Sequence, residues 1–264
     1  ENGEARAGMG VDAGVVDSGG NTTIFIGNFS NEMVGVYSYS DKGWFNDRAA
    51  ISKVGRPSFP SLTFGLVLFD VDMDSDLDLF IGNGHVYPVR TKNQDGITYK
   101  QVSQLFLNNG DGAFSIANEK ITGIINNKMV VRGVAIGDYD KDGDQDLLLT
   151  ENNGPAHLWR NDSESKNYLR VNLLGVKSNK DGIGSKLLLY INENKIERLI
   201  RTGSSYLSQS EKTATFGLGD HDMIDSLSIY WPSGKKETYF DIEINKEMLI
   251  KEGFGEIELS NKIK

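Results

Sequence analysis

Two short stretches of the chain place an aspartate at every second position. The first stretch contains five of them: Asp138, Asp140, Asp142, Asp144 and Asp146. The second stretch repeats the pattern: Asp70, Asp72, Asp74, Asp76 and Asp78. Carboxylates this close together repel one another unless a cation lies between them. Because calcium prefers about six to eight hard oxygen ligands, the spacing predicts two calcium sites, one in each loop.

The sixth residue of each loop affects whether the backbone can turn and bring the ligands together. In the loop 138–146 we expect these ligands: the carbonyl of Asp144 and the side chains of Asp138, Asp140, Asp142 and Asp146. Water would complete the shell. Gly143 permits the backbone reversal that brings the last ligand round to the ion. The loop 70–78 has Ser75 at this position, and serine tolerates a strained turn at a modest cost in free energy, so we expect a site there too.

Three other interpretations of these loops need comparison. An EF-hand requires a glutamate at the twelfth position and flanking helices. The twelfth residues are Leu149 and Ile81, each inside an apolar strand, so the EF-hand pattern fails. Magnesium usually keeps several waters and takes few protein ligands, so it fits less well than calcium. The remaining alternative is a pair of solvated surface turns without metal.

The loops belong to a repeat with the alternating pattern of β-structure. Residues 11–28, 66–83 and 134–152 each contain a short apolar strand, a loop of small and acidic residues, and a second apolar strand. Strand signals are short and bounded by Gly, Asn, Asp and Ser, and no long apolar pattern has a helical period. The spacing predicts an all-β fold containing a partial β-propeller of about three blades. The first repeat has a single carboxylate, Asp17, in its loop, and we expect a structural turn without metal there.

The residue pattern of the sequence changes near residue 165. Residues 162–166 are polar and indicate a connector, and the remainder has strand patterns without an acidic loop of the earlier kind. We therefore expect two domains: propeller repeats in residues 1–165 and a small C-terminal β domain, or a cap on the repeats, in residues 166–264.

Composition excludes several classes of function. The formal net charge is −9, whereas a nucleic-acid-binding protein normally carries a basic patch. The chain has no cysteine, which removes disulfides, thiolate metal sites and cysteine nucleophiles. No apolar run approaches the roughly 20 residues that a membrane-spanning helix needs. His85, His157 and His221 are the histidines, and none belongs to a pattern that indicates catalysis, so we assign no catalytic residue.

The motifs resemble two known families. The acidic loops are similar to those of FG-GAP or VCBS repeats in integrin-α-like propellers, which carry the pattern Asp-x-Asp-x-Asp-Gly-x-x-Asp. The loop 138–146 matches fully and the loop 70–78 departs at Ser75. The C-terminal part resembles the ASPIC/UnbV domain in these stretches: 167–171, 178–185, 203–210, 216–219 and 229–234. Together with residues 82–88 and 153–156, the ordered motifs resemble the cartilage acidic protein family and its bacterial members.

The resemblance implies a calcium-bearing propeller in an extracellular, cell-surface or periplasmic setting. It implies no established enzymatic activity. Such propellers have about seven blades, and about three blades cannot close a ring. The chain, which begins at Glu1 without an initiator Met, is therefore expected to be part of a longer protein or to be completed by a second chain.

Three functions follow as hypotheses. The first is an interaction module whose calcium loops stiffen a propeller that engages a protein or glycan partner. The second is a calcium-dependent enzyme acting on a secondary metabolite or polysaccharide, which a deep pocket between the two domains would favour. The third is a structural subunit that associates through its open blade edge.

Overall fold

A computed structural model describes residues 5–88, 97–117, 126–163, 166–192, 194–255 and 257–259. Apart from a single turn of helix, α1 (Gly55–Ser58), the regular elements in these ranges are β-strands, so the all-β prediction is confirmed. Left-handed residues lie in the connections between successive strands, for example at Asn31 and Gly110.

The first three sheets are antiparallel meanders in which neighbouring strands keep the order of the chain, with β7 lying outside the second sheet. The first contains β1 (Val11–Val15), β2 (Thr22–Ile26), β3 (Gly35–Tyr39) and β4 (Phe45–Asp47). The second contains β5 (Thr63–Phe69), β6 (Asp78–Asn83), β8 (Gln104–Asn108) and β9 (Phe114–Ile116). The third contains β11 (Val131–Gly137), β12 (Asp146–Glu151) and β13 (Ala156–Trp159). A two-stranded ribbon joins β7 (Gln101–Val102) to β10 (Lys128–Met129).

The chain after residue 166 forms two further four-stranded sheets. One has the order β17 (Ala214–Gly219), β14 (Asn167–Leu174), β20 (Lys246–Lys251) and β21 (Ile257–Leu259). The other has the order β16 (Asn194–Leu199), β15 (Lys186–Ile191), β18 (Ser226–Tyr230) and β19 (Lys236–Tyr239). The five small sheets have a propeller-like arrangement, and their number exceeds the expected three because the C-terminal part contributes two.

The hydrophobic core explains why consecutive meanders stack. Alternate side chains of β5 and β6 point to opposite faces of their sheet. One face, with Leu66 and Leu79, packs against Phe25 and Val36 of the first meander. The opposite face, with Val67 and Phe80, packs against the third meander. The second meander is therefore buried on both sides.

The C-terminal sheets share a separate core. Its buried members all lie between Leu169 and Ile250, and they include Phe216, Trp231 and Met248. A division near residue 165 remains a prediction, and residues 164 and 165 of the expected connector lie outside the described ranges.

A segment of the C-terminal part runs along the first strands of the three meanders. Ser205 donates its backbone N–H to the Val11 carbonyl at 2.9 Å, and its hydroxyl accepts the Leu66 N–H at 3.1 Å. Farther along, Glu211 donates its backbone N–H to Ile136 at 3.0 Å. The C-terminal part thus contacts the first strand of all three meanders.

Candidate metal sites

The two acidic loops have the same backbone conformation. The fourth residue of each is left-handed, with φ of 57° at Met73 and 63° at Lys141. The sixth is also left-handed, with φ of 89° at Ser75 and 108° at Gly143. Ser75 therefore adopts the strained conformation that glycine adopts in the other loop.

Three carboxylates converge in each loop. One group consists of Asp70, Asp72 and Asp78, and the other of Asp138, Asp140 and Asp146; within each group one oxygen per residue lies within 4.8 Å of the others. These are positions one, three and nine of the pattern. The first residue follows the end of one strand and the ninth begins the next, so the β-hairpin itself brings distant ligands together. The remaining predicted ligands, Asp74, Asp76, Asp142 and Asp144, stand outside these two groups.

The ninth position is fixed by backbone hydrogen bonds. Asp78 accepts the Val71 N–H at 2.9 Å and the Asn108 N–H at 2.8 Å. Asp146 does the same with Tyr139 at 2.8 Å and Asn161 at 2.9 Å. The first position is held similarly, because both Asp70 and Asp138 accept the N–H of the sixth residue of their own loop.

The Asn that supports each ninth position also ties neighbouring meanders together. The Asn108 side chain donates to the Val16 carbonyl of the first meander at 2.9 Å. The Asn161 side chain donates to the Val71 carbonyl of the second meander at 2.8 Å. Val16 and Val71 occupy the same place in their repeats, so each loop forms part of a repeated inter-sheet contact.

The electrostatic environment disfavours uncompensated negative charge. Burial, together with the charges of Asp74 and Asp72, raises the pKa of Asp70 to about 7 despite the opposing effect of Arg198. Burial likewise raises the pKa of Asp78 to about 9. In the other loop, burial and the charges of Asp142 and Asp146 raise the pKa of Asp144 to about 8. A bound cation would relieve this repulsion.

The residues fit a hard cation. Asp72 Oδ1 and Asp144 Oδ1 are buried from solvent and have no hydrogen-bond partner among the described residues. A buried oxygen that accepts no hydrogen bond costs free energy. A cation bound to that oxygen would offset the cost. The donor set of each loop consists of carboxylate oxygens, which suit calcium or magnesium better than a soft metal. Both clusters can therefore hold a metal ion.

The first meander has a different arrangement in the equivalent loop. Asp17 accepts the N–H of Gly19 at 2.9 Å, a local turn contact. The buried carboxylate of this sheet is instead Asp12 on β1, which accepts the Leu68 N–H at 2.8 Å and pairs with Arg201 at 2.5 Å. Asp12 thus joins the first two meanders to the C-terminal part.

Sequence patterns gave no indication of two arginines that contact the acidic loops. Arg170 on β14 lies 3.3 Å from Asp138, and Arg198 on β16 lies 3.6 Å from Asp70. Both come from the C-terminal part; Arg170 lies in the stretch 167–171 that resembles the ASPIC/UnbV domain, and Arg198 lies outside the motif stretches. A pairing between residues this far apart in the chain has no local signal.

A cavity of about 180 Å³ lies between the first strands of the meanders and the C-terminal part. The acidic residues that line it include Asp12, Glu197 and Glu211. Asp12 is paired with Arg201, Glu211 with Arg170 at 2.8 Å, and Glu197 with Lys186 at 3.9 Å. These ion pairs give the lining a structural role and do not favour a catalytic pair of carboxylates.

Two family models match parts of the chain. Residues 93–149 match the FG-GAP-like repeat; the matched range includes the loop 138–146 and begins after the loop 70–78. Residues 175–257 match the family described as ASPIC and UnbV. Within the described ranges the structure contains no helix with the length and apolar character needed to cross a membrane.

Three curated relatives carry the name cartilage acidic protein 1. The mouse (Mus musculus) protein is 28% identical over 281 aligned positions, which cover 87% of this chain and 42% of the relative. The Xenopus tropicalis protein is 36% identical and the human (Homo sapiens) protein 35% identical, each match covering 39% of this chain and 16% of the relative. The chain thus spans less than half the length of these relatives. The resemblance seen in the sequence is confirmed: an FG-GAP-like repeat precedes an ASPIC and UnbV segment, in a chain similar to cartilage acidic proteins.

Proposed function

We propose that this chain is a calcium-binding, extracellular or periplasmic interaction module, in which one calcium ion stabilises each acidic loop. The proposal rests on the shared geometry of the two loops. Both have left-handed residues at the same positions, and both bring together the carboxylates at loop positions one, three and nine. In this proposal the side chains of positions five and seven, or their carbonyls, complete the shell together with water.

A structural role for the ions follows from their surroundings. The first and ninth carboxylates of each loop already accept backbone N–H groups, and the supporting Asn residues bind the neighbouring meander. An ion held there would fix the hairpin turn and the inter-sheet contact at once. Binding to the native state alone stabilises it by mass action.

An apolar face of the first meander supports a role in association. We call it the leading face and define it by these residues: Val11, Ala13, Ile24, Ile26, Tyr37 and Phe45. Strand pairing makes them the equivalents of a face on the second meander: Leu66, Leu68, Leu79, Ile81, Phe106 and Phe114. That second face is fully buried against the first meander, whereas Val11 is 45% and Phe45 48% exposed.

The equivalence favours one kind of occupant for the leading face. A surface that corresponds residue by residue to an inter-sheet contact has the shape and spacing to receive another blade of the same repeat type. We propose that this blade comes from a longer chain or from a second chain that completes the propeller. A protein partner therefore suits the face better than a glycan, which would require polar groups beside the aromatic rings.

Thermal unfolding with calcium and with excess chelator tests the calcium proposal. At free calcium 100 times the dissociation constant, one site adds about 2.7 kcal/mol of stability. We expect chelation to lower the melting temperature, calcium to restore it, and magnesium to restore it poorly. The same melting temperature in calcium and in chelator would overturn the proposal.

A further inference from the structure

Arg198 contacts the loop 70–78 from the C-terminal sheet. Its guanidinium lies 3.6 Å from Asp70 Oδ2 and donates to the Ser75 carbonyl at 3.2 Å. It also donates to the Thr215 carbonyl at 3.0 Å and stacks over the Phe216 ring at 5.5 Å. The cation is therefore held in place by β17 of the other C-terminal sheet, beside the first predicted ligand of the calcium site.

Arg170 stands in the same relation to the loop 138–146. Its Nε lies 3.3 Å from Asp138 Oδ2, and the side chain is 3% exposed. Glu211 binds the other guanidinium nitrogens at 2.8 and 3.1 Å, and Glu247 lies 3.4 Å from Nε. This arginine is thus shared between the acidic loop and two carboxylates of the C-terminal part.

One residue connects the two arginines. The Thr215 hydroxyl accepts a hydrogen bond from Arg170 at 2.8 Å, and its carbonyl accepts one from Arg198. Thr215 is buried on β17. The C-terminal part therefore presents one arginine to each acidic loop, and Thr215 links the two arginines.

We propose that Arg170 and Arg198 set the calcium affinity of the two loops, so that ion binding and docking of the C-terminal part compete for the first aspartate of each loop. The inference rests on the proposed calcium sites. A guanidinium a few ångströms from a divalent ion repels it even in a water-like medium. Linkage then makes the effect reciprocal: calcium weakens the arginine–aspartate pair by the same factor.

The test measures calcium affinity by isothermal titration in single-site proteins. Asp140→Asn leaves the loop 70–78 as the site under study. On that background we expect Arg198→Gln to bind calcium about tenfold more tightly, which is about 1.4 kcal/mol, while Arg198→Lys keeps the charge and the wild-type affinity. Unchanged or weaker calcium binding by Arg198→Gln overturns the proposal. An equal change in affinity in Arg198→Gln and Arg198→Lys also overturns it, because that result would indicate that the arginine positions the loop and does not act through its charge.

Arg201→Gln is the matched control. Arg201 forms a comparable docking ion pair, with Asp12, in the meander that has no carboxylate cluster among its described residues. We expect this variant to lose stability without a change in calcium affinity. A tenfold change in Arg201→Gln would mean that loosened docking, and not charge beside the site, controls affinity.

Urea unfolding supplies a second readout. The stability lost through Arg198→Gln should be smaller in saturating calcium than in chelator, because calcium takes over the neutralisation of Asp70. An equal loss in both conditions overturns the proposal. If wild type and variant both fail to bind calcium, the proposed function fails as well; if both bind with equal affinity, this inference fails alone.

Discussion

Gly217 on β17 packs directly against the loop 70–78. A Cβ built on Gly217 would lie 2.4 Å from Asp70 Oδ2 and 2.5 Å from the Met73 backbone, closer than side chains tolerate. The two segments are also joined by the Gly217 N–H to Asp70 at 3.2 Å, the Ser75 hydroxyl to Gly217 at 2.8 Å, and the Gly219 N–H to Met73 at 2.8 Å. Gly217→Ala must therefore push the sheet away from the loop.

The expected loss has two parts. Overpacking of a tight contact costs about 1–3 kcal/mol, and each weakened hydrogen bond costs about 1 kcal/mol. We expect Gly217→Ala to lower the free energy of unfolding by about 3–5 kcal/mol and to weaken calcium binding, since Asp70 loses a donor. Urea unfolding followed by circular dichroism measures the loss.

Gly203 provides the control for this substitution. No atom lies within 4 Å of the position its Cβ would take, and its backbone is not left-handed. Gly203→Ala should therefore be neutral or stabilise by up to about 1 kcal/mol. If Gly217→Ala unfolds at the same urea concentration as Gly203→Ala, the contact between β17 and the acidic loop is not formed as described.

Two further predictions concern the leading face and pH. Ile24→Lys should leave the isolated chain folded, with a loss below about 1 kcal/mol in urea, whereas Leu79→Lys at the buried equivalent should abolish folding; equal losses would contradict an open leading face. Burial would raise the pKa of Glu252, but hydrogen bonds from the Ser233 hydroxyl and from the backbone of residues 176–178 outweigh it and lower the pKa from 4.5 to about 2. Because the folded-state pKa is depressed, the stabilisation is present above about pH 4.5 and is lost as pH falls toward 2. The stability difference between wild type and Glu252→Gln should therefore shrink over that range, and a constant difference would contradict the assignment.

The acidic loops could be predicted from the sequence because their signals are local. Alternating aspartates between two apolar runs define both the turn and the convergence of its first and ninth residues. The backbone reversal at the sixth position could also be predicted, because Gly143 occupies it in one loop. Ser75, at the same position in the other loop, is left-handed as well. The strand patterns of the C-terminal part also correspond to observed strands, for example β15 (Lys186–Ile191).

Long-range contacts escaped prediction for a physical reason. The strand β20 (Lys246–Lys251) pairs in parallel with β14 (Asn167–Leu174), and a parallel pair leaves no hairpin signal in the sequence. One of the two C-terminal sheets that raise the number of sheets above three depends on this contact. Arg170 and Arg198 reach the acidic loops only once these sheets have formed, so no spacing in the chain indicates their role.

The number of calcium ions bound by wild type and by two loop variants tests the central claim most directly. Asp72→Asn and Asp140→Asn each remove one member of a converging group, and Asp41→Asn, in an exposed hairpin, serves as the control. Titration calorimetry should give two ions for wild type and for Asp41→Asn, one for each loop variant, and none for the double variant. No binding by wild type, or two ions retained by the double variant, would contradict the assignment of calcium to these loops.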